Sequence, residues 1–270
     1  MRVGEIEIVP LTDGIARMRP SEAFQMIGGA ELNGKGGDED DWQPHRAFLA
    51  DDGMLEFAMG GFLIRAGDRV VVVDTGVGDM TRGPFQGGQF LESLAGCGLP
   101  PADITDVVLT HLHFDHVGWT TRRGEVVFPN AAYRCDVRDW DHFVGPDPGA
   151  TKKLSPISSQ LEPWSGSGPL LPGIDTMAAP GHTPGSTVVV VSSGTDRALL
   201  LGDAVHCPVE LIDDEWATIG DVDPELAKRT RIALAREMEG TDVPMAAAHF
   251  AGLQFGRLLP GQGQRRWVFD

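Results

Sequence analysis

The sequence is short of cysteine and of long apolar runs, and each shortage excludes a class of protein. Its three cysteines, Cys97, Cys135 and Cys207, are too few and too scattered for a disulfide scaffold. No apolar run approaches the roughly 18 residues of a membrane-spanning helix. The first residues, MRVGEIEIVP, lack the charged-then-apolar pattern of a secretion signal. We therefore predict a soluble, cytoplasmic protein with no membrane partner.

Basic residues are also scarce. The chain holds 22 Lys and Arg against 39 Asp and Glu, which gives a formal net charge of −17. A protein that binds a nucleic-acid backbone needs a basic face that displaces counterions, so we predict that nucleic acid is not a partner. A small, neutral or weakly polar molecule is the expected substrate, and a homodimer is compatible with the sequence.

The pattern of apolar residues is that of a single α/β domain over residues 1–270. Two strands are predicted around a turn at Thr12-Asp13-Gly14, and two buried strands around a turn at Gly67-Asp68. Asp223 and Pro224 predict a capped helix that runs to Met238. Further buried strands are predicted at 106–110, 174–178, 186–192, 198–201 and 244–248, and we expect the last of these to be the final strand.

The stretch from Pro20 to Met59 differs from the rest of the chain. It combines glycine pairs and the acidic run 38–41 with isolated large apolar side chains. Such a segment forms neither a long helix nor a strand, but its apolar anchors favour a lid-like insertion at about 20–59 over a disordered one. We expect Met26, Trp42 and Phe48 of this insertion to line a substrate pocket.

Three histidines and an aspartate lie close together in the run His111-Leu-His113-Phe-Asp115-His116. An apolar strand precedes them, which places the cluster on the loop after a buried strand. Strand alternation puts His111 and His113 on the same side, and Asp115 and His116 follow one short turn later, near enough to serve a second metal. Imidazole and carboxylate ligands without a thiolate suit Zn²⁺ or a similar borderline ion. The cluster therefore predicts a metal site.

Three more candidate ligands terminate apolar segments. His182 lies in the tight loop Gly-His-Thr-Pro-Gly, Asp203 follows a run of leucines, and His249 follows the predicted strand at 244–248. Taken singly, an aspartate at such a place often only caps a turn, and a histidine often only packs. In an α/β sheet, however, strand ends meet at one edge, where binding sites are built. We therefore expect these three residues to converge with the histidine cluster.

The motifs THLHFDH, GHTPGS, LGDA and AAHF, in this order, resemble those of the metallo-β-lactamase superfamily from about Gly60 to His249. The resemblance implies an α/β fold, the four-layer αββα sandwich, with two divalent metal ions at one edge of the paired sheets. We predict these ions to be Zn²⁺. The implied ligands are His111, His113 and His182 for the first ion, Asp115, His116 and His249 for the second, and Asp203 as a bridge between both, together with a hydroxide.

Several features of this chain differ from those of well-known superfamily members and argue against particular branches of the superfamily. Asp203 stands where many lactam-cleaving relatives carry Cys or Ser, and His113 stands where di-iron flavoprotein relatives carry Glu. The stretch after His249 is too short for the glutathione-binding part of glyoxalase II, and the acidic charge argues against the tRNA-processing nucleases. The chain is therefore most similar to the group of quorum-quenching acyl-homoserine lactone lactonases and methyl parathion hydrolase. Those lactonases carry a tyrosine three positions after the bridging Asp, where this chain has His206.

This resemblance implies hydrolysis of a small neutral ester or lactone at two metal ions. Asp115 is the expected proton carrier, and His206 is the expected hydrogen-bond donor to the substrate. The alternative for His206 is an outer position in which it only orients a ligand carboxylate. Phe114, Trp119 and the apolar residues of the insertion would form a wall for an acyl or aryl group.

Other activities stay open within the superfamily, namely hydrolysis of an aryl phosphotriester, a β-lactam or a nucleic acid. A non-catalytic binding protein on the same fold is the alternative from outside the enzymes. The seven filled ligand positions favour the enzyme, because a degenerate site has no need of a complete ligand set.

Overall fold

Runs of valine, leucine and isoleucine form two β-sheets. The computed structural model describes residues 1–24, 39–216, 218 and 220–270. In these residues the first sheet consists of β1 (Arg2–Val3), β2 (Ile6–Met18), β3 (Leu55–Ala66), β4 (Arg69–Val73), β5 (Thr81–Arg82), β6 (Phe85–Gln86), β7 (Asp106–Val108) and β10 (Ala132–Arg134). Their order is β10-β7-β4-β3-β2-β6-β5, with β1 beside β2. A separate hairpin contains β8 (Thr121–Arg122) and β9 (Glu125–Val126).

The second sheet follows the chain order of its strands. It consists of β11 (Gly168–Leu171), β12 (Ile174–Ala178), β13 (Thr187–Ser193), β14 (Asp196–Leu200), β15 (Met245–Ala246), β16 (Gly256–Leu259) and β17 (Arg266–Phe269). The α-helices of the described residues are α1 (Pro20–Ala23), α2 (Glu39–Trp42), α3 (Phe90–Gly96), α4 (Val137–Phe143), α5 (Pro148–Leu154), α6 (Val209–Ile212) and α7 (Pro224–Met238). No helix in this part of the chain is long and apolar enough to cross a membrane.

Side chains alternate between the two faces of the central strands, so that each strand contributes to two hydrophobic cores. On β3, Phe62 and Ile64 pack with residues of the second sheet, such as Val189 and Leu200, in the core between the sheets. The intervening Leu63 points to the opposite side and packs with Phe90 of α3 in a second core. Because both faces are buried, the strands are almost continuously apolar.

The second sheet is covered on its outer face in the same way. Val188 and Leu199 pack there against Leu234 and Met238 of α7. The order of layers is therefore helix, sheet, sheet, helix, which confirms the predicted αββα sandwich. Helix α7 also begins as predicted, because the Asp223 side chain accepts a hydrogen bond from the Leu226 N–H at 2.9 Å and Pro224 occupies the first turn.

The predicted turn at Thr12-Asp13-Gly14 is wrong. One strand, β2, runs through it with a shift of register between Thr12 and Gly14, and such a bulge re-aims the side chain of the extra residue. Asp13 is thereby fully buried. Glycine is required next to it, because a Cβ at Gly14 would lie 1.7 Å from the Gln86 carbonyl oxygen.

Two further differences concern the ends of elements. Strand β3 begins at Leu55, inside the stretch predicted as the insertion, and the helical elements in the described residues before it are α1, α2 and the 3₁₀ turn 43–48. Met26 lies outside the described residues. Strands β16 and β17 follow the strand predicted to be the last, and they escaped prediction because each spans only 4 residues and carries a charged side chain.

Candidate metal centre

The candidate ligands lie on loops that leave the strands of both sheets. His111, His113, Asp115 and His116 follow β7, and His182 lies on the loop between β12 and β13. Asp203 follows β14 and His249 follows β15, which pair in parallel so that their carboxyl ends point the same way. The predicted convergence of these side chains is present.

The first ligand group contains His111, His113, His182 and Asp203, whose nearest ligand atoms all lie within 4.8 Å of one another. The His113 Nδ1 atom lies 3.1 Å from His111 Nε2 and 2.8 Å from His182 Nε2. Three imidazole nitrogens thus point at one another, an arrangement that a cation sharing their lone pairs would stabilise.

The second ligand group contains Asp115, His116 and His249. Asp203, a member of the first group, also contacts residues of the second group. Its Oδ1 atom lies 3.1 Å from His116 Nε2, and its Oδ2 atom lies 3.1 Å from His249 Nε2 and 3.4 Å from His182 Nε2. The carboxylate between the two groups has the position of a shared ligand.

His116 Nε2 and Asp203 Oδ1 are buried and lie 3.1 Å apart without the angles of a hydrogen bond, and neither has another hydrogen-bond partner among the described residues. Buried polar atoms are seldom left unpaired, because desolvation without a partner is costly. Neutral imidazoles and carboxylates are also the donors that Zn²⁺ and similar divalent ions prefer. The residues therefore fit two metal ions.

Burial keeps two of the imidazoles neutral. Burial lowers the pKa of His111 well below its ordinary value, and burial together with nearby His182 lowers the pKa of His113 to about 3. For His116, burial acts in the same direction, but Asp203 and Asp74 outweigh it and raise its pKa well above the ordinary range. Burial would raise the pKa of Asp203, but the imidazoles around it hold that pKa well below normal.

The ring nitrogens that face away from the centre have their own partners. His116 Nδ1 lies 2.9 Å from Asp74 Oδ2, and His182 Nδ1 lies 3.0 Å from Asp221 Oδ1. His249 Nδ1 lies 3.0 Å from the carbonyl oxygen of Ala58. Such contacts fix which nitrogen faces a metal and increase its basicity.

Sequence analysis missed Asp74 and Asp221. Asp74 follows the buried strand β4, the same signal that identified Asp203, and could have been found from it. Asp221 lies in an irregular stretch before α7, with no such signal. Asp139 was also missed. It accepts hydrogen bonds from Leu112 N and Gly185 N, and thereby ties the loops of both His111 and His182 to α4.

The two predicted catalytic side chains lie at the same centre. Asp115 Oδ2 is 3.6 Å from His249 Nε2, and its side chain is 12% exposed. His206 Nε2 is 3.2 Å from Asp203 Oδ2, and its ring stacks on that of His249 at 5.6 Å. Burial would lower the pKa of His206, but Asp203 and Glu210 raise it to about 10.

The predicted substrate wall is only partly assembled. Phe48 lines a cavity of about 170 Å³ together with Leu55, Phe57, His206 and His249. The cavity therefore connects apolar side chains directly with the candidate metal centre.

Three other predicted wall residues lie elsewhere. Trp42 and Trp119 are each 2% exposed and do not line this cavity. Trp42 packs edge-on against Trp216 at 4.7 Å, and the Trp119 indole N–H donates to Asp13 Oδ1 at 2.9 Å. An internal partner for each ring explains why both are buried. Phe114 is 47% exposed on the ligand loop.

Comparisons with known proteins identify a family, related sequences and related structures. Residues 61–241 match the family described as the metallo-beta-lactamase superfamily. Metallo-beta-lactamase domain-containing protein 1 of Xenopus laevis is 28% identical over 211 residues, covering 76% of this chain and 78% of that protein. An N-acyl homoserine lactonase of Bacillus thuringiensis is 24% identical over 191 residues, covering 64% of this chain and 74% of that protein.

A solved structure of AidC, described as a dizinc quorum-quenching lactonase, has the same fold. Its TM-score is 0.85 at 24% identity, covering 100% of this chain and 96% of that one. This likeness shows the fold, and the family match over residues 61–241, more than half of the chain, shows the family. The chain belongs to the metallo-β-lactamase superfamily and is a metal-dependent hydrolase.

Proposed function

We propose that the protein is a dinuclear hydrolase that cleaves a small neutral ester or lactone. The observation that carries the proposal is the position of Asp203 between two ligand groups, directly beside an apolar cavity that His206 and His249 also line. A charged centre next to an apolar pocket suits a substrate with one polar, cleavable group and an apolar remainder.

The ligands are assigned by their groups. His111, His113 and His182 would hold one ion, Asp115, His116 and His249 the other, and Asp203 would contact both. We propose Zn²⁺ for both positions, since the donors are imidazoles and carboxylates. Divalent ions bound here would polarise the scissile carbonyl and make water a sufficiently strong nucleophile near neutral pH.

The remaining steps belong to side chains of the protein. Asp115 is the more exposed of the two carboxylates at the centre, so it can take a proton at its carboxylate and pass it to the leaving oxygen. His206 would donate a hydrogen bond from Nε2 to the substrate oxygen. The cavity beside Phe48 would bind the acyl or aryl part.

Three observations favour lactones, including N-acyl homoserine lactones, as the substrate class. The lactonases among the relatives share the fold. Asp203 occupies a position where lactam-cleaving members often carry Cys or Ser. The charge of −17 disfavours nucleic acid. A quorum-quenching role, a single domain over 1–270, a cytoplasmic location and a homodimer remain predictions from the sequence.

A hydrolysis panel on metal-quantified protein tests the proposal. The panel contains N-acyl homoserine lactones, aryl esters, an aryl phosphotriester and a chromogenic cephalosporin. We expect lactone or ester turnover to exceed cephalosporin turnover clearly. Asp203→Ala should lose metal and activity together, while Asp68→Ala in the exposed turn before β4 should change neither. Efficient cephalosporin turnover with every lactone and ester inert would refute the proposed substrate class.

A further inference from the structure

Three buried charged residues lie behind the metal centre and have no part in the chemistry above. They are Glu210 of α6, Asp221 of the loop before α7, and Arg231 of α7, which are 2%, 9% and 2% exposed. Burying three charged groups is costly unless each has partners. The contacts of these three residues show which side chains of the site they hold in place.

The guanidinium of Arg231 lies between the two carboxylates. Its two terminal nitrogens each lie 3.2 Å from Asp221 Oδ2, and its Nε atom lies 3.5 Å from Glu210 Oε1. The rigid fork of arginine can address two carboxylates at once from different edges. One cation therefore holds two acidic residues that come from separate elements.

Each carboxylate uses its other oxygen toward the site. Asp221 Oδ1 lies 3.0 Å from Nδ1 of His182, one of the proposed metal ligands. Glu210 Oε2 accepts hydrogen bonds from the backbone N–H of His206 at 2.6 Å and of Cys207 at 3.0 Å. It also lies 3.7 Å from Nδ1 of the His206 ring.

We propose that Arg231 is a positioning residue that fixes His182 and His206 together, through Asp221 on one side and Glu210 on the other. The inference rests on the proposed function, because it assigns His182 to a metal and His206 to the substrate. Beyond that function, the proposal assigns one buried cation, Arg231, to two tasks. Arg231 would fix the geometry of the ligand group that contains His182, and it would fix the position of the hydrogen-bond donor His206.

The charge of Arg231 is needed as well as its shape. Burial alone would raise the pKa of Glu210, but Arg231 and the hydrogen bonds of its neighbours lower it to about 2. Without the guanidinium, two buried carboxylates would lose the counter-charge that they share and would rearrange. This change would release the His182 ring and the His206 backbone from their present positions.

Zinc titration of the metal-free protein by calorimetry tests the proposal without any assay of activity. In Arg231→Met we expect one of the two zinc equivalents to bind about 10 to 100-fold more weakly, the usual effect of removing a partner behind a ligand. Arg231→Lys should fall between the wild type and Arg231→Met, because an ammonium restores the charge but not the fork. The matched control is Arg229→Met, an exposed arginine on the same helix.

The carboxamide variants test the Asp221 contact with His182 and the Glu210 contact with His206 separately. Asp221→Asn should weaken the same zinc equivalent, whereas Glu210→Gln should retain both equivalents and lower kcat. The double variant Arg231→Met with Asp221→Asn should bind zinc no more weakly than the weaker single variant, because the arginine acts on His182 through Asp221.

Several results would overturn the inference. They are wild-type zinc affinity in Arg231→Met, strictly additive losses in the double variant, and a Glu210→Gln variant with unchanged kcat. If Arg231→Met does not fold, Arg231→Lys and the carboxamide variants carry the same test. A wild type that binds two zinc ions but hydrolyses nothing on the panel would refute the proposed function instead, and the titrations would still decide the role of Arg231.

Discussion

The candidate metal centre depends on side chains that contact the outer nitrogens of its candidate ligands. His116 is fixed by Asp74, His182 by Asp221, and His249 by the carbonyl of Ala58. Each of these contacts engages Nδ1 and leaves Nε2 toward the centre. His113 is different, because its Nδ1 faces the neighbouring imidazoles. A motif of histidines therefore needs a second, separately encoded group of partners before it can bind metal well.

His206 gives the first prediction at this scale. Its Nε2 lies 3.2 Å from Asp203 Oδ2, and the residue lines the same cavity as Phe48. His206→Phe should lower kcat by roughly 10 to 1,000-fold, the range for a lost proton donor or oxyanion contact, with both metals retained by elemental analysis. Loss of metal in this variant would instead support an outer position that only orients Asp203. Full activity with full metal content would remove His206 from the mechanism.

Glu210 gives a prediction about acid stability. Its pKa in the folded protein is about 2, below its ordinary 4.5, so its carboxylate stabilises the fold above pH 4.5 and loses this effect as pH falls toward 2. By linkage the effect is roughly 3 kcal/mol. In metal-free protein, urea unfolding should show Glu210→Gln less stable at pH 7, with a difference that shrinks below pH 4.5. A difference that stays constant with pH would contradict this assignment, and exposed Glu237→Gln is the control.

At the scale of elements, the bulge in β2 organises the loops under the ligand cluster. The buried Asp13 carboxylate accepts hydrogen bonds from the N–H groups of Val77, Gly78, Gly88 and Phe90 and from the Trp119 indole. The distances are between 2.8 and 3.0 Å. One side chain thus connects three loops of the first sheet.

Asp13→Asn should therefore destabilise the protein without touching a ligand. The amide would turn an N–H₂ group toward donors that now lack an acceptor, which costs roughly 2 to 4 kcal/mol. Urea unfolding measures the loss, and Asp68→Asn, in the exposed turn before β4, is the matched control. A change within about 0.5 kcal/mol of wild type, typical of a surface substitution, would show that Asp13 does not have this role.

Phe48 links the described part of the insertion to the site. Its ring lines the cavity with His206 and His249 and lies 6.4 Å from Phe269 of β17. Phe48→Ala should raise KM by about 10-fold for substrates with an acyl chain, in proportion to the apolar contact that is lost, and leave metal content unchanged. Val268→Ala, which shortens an exposed apolar side chain on the same strand, should leave KM unchanged. An unaltered KM in Phe48→Ala would exclude this cavity as the acyl site.

The sequence predicted the elements that carry strong local signals. Helix α7 was predicted from Asp223 and Pro224, and the candidate ligand cluster at 111–116 from its spacing, whereas the family resemblance implied the full set of seven candidate ligands. The sequence Thr-Asp-Gly at Asp13 favours a turn as well as a bulge, so the prediction of a turn there was wrong. Only the pairing of β2 with β3 distinguishes the bulge from the turn. The partners Asp74 and Asp221 lie 42 and 39 residues from the histidines they hold, so no local pattern links them.

At the scale of the whole molecule, each ligand group is assembled from loops of both sheets. The loop after β7 belongs to the first sheet, whereas His182, Asp203 and His249 belong to the second. Since each ligand group takes residues from both sheets, the core between the sheets also fixes the geometry within each group. In a chain with a net charge of −17, two bound dications would also relieve repulsion among buried carboxylates.

The most direct test of the account is the number of metal ions per chain. Elemental analysis of protein reconstituted with excess zinc and then freed of unbound metal should give two equivalents, because the described residues offer two ligand groups joined by Asp203. Asp203→Ala should fall well below two, since a shared carboxylate serves both ions. A wild-type value that stays near one equivalent would contradict the dinuclear centre and, with it, the mechanism proposed for this protein.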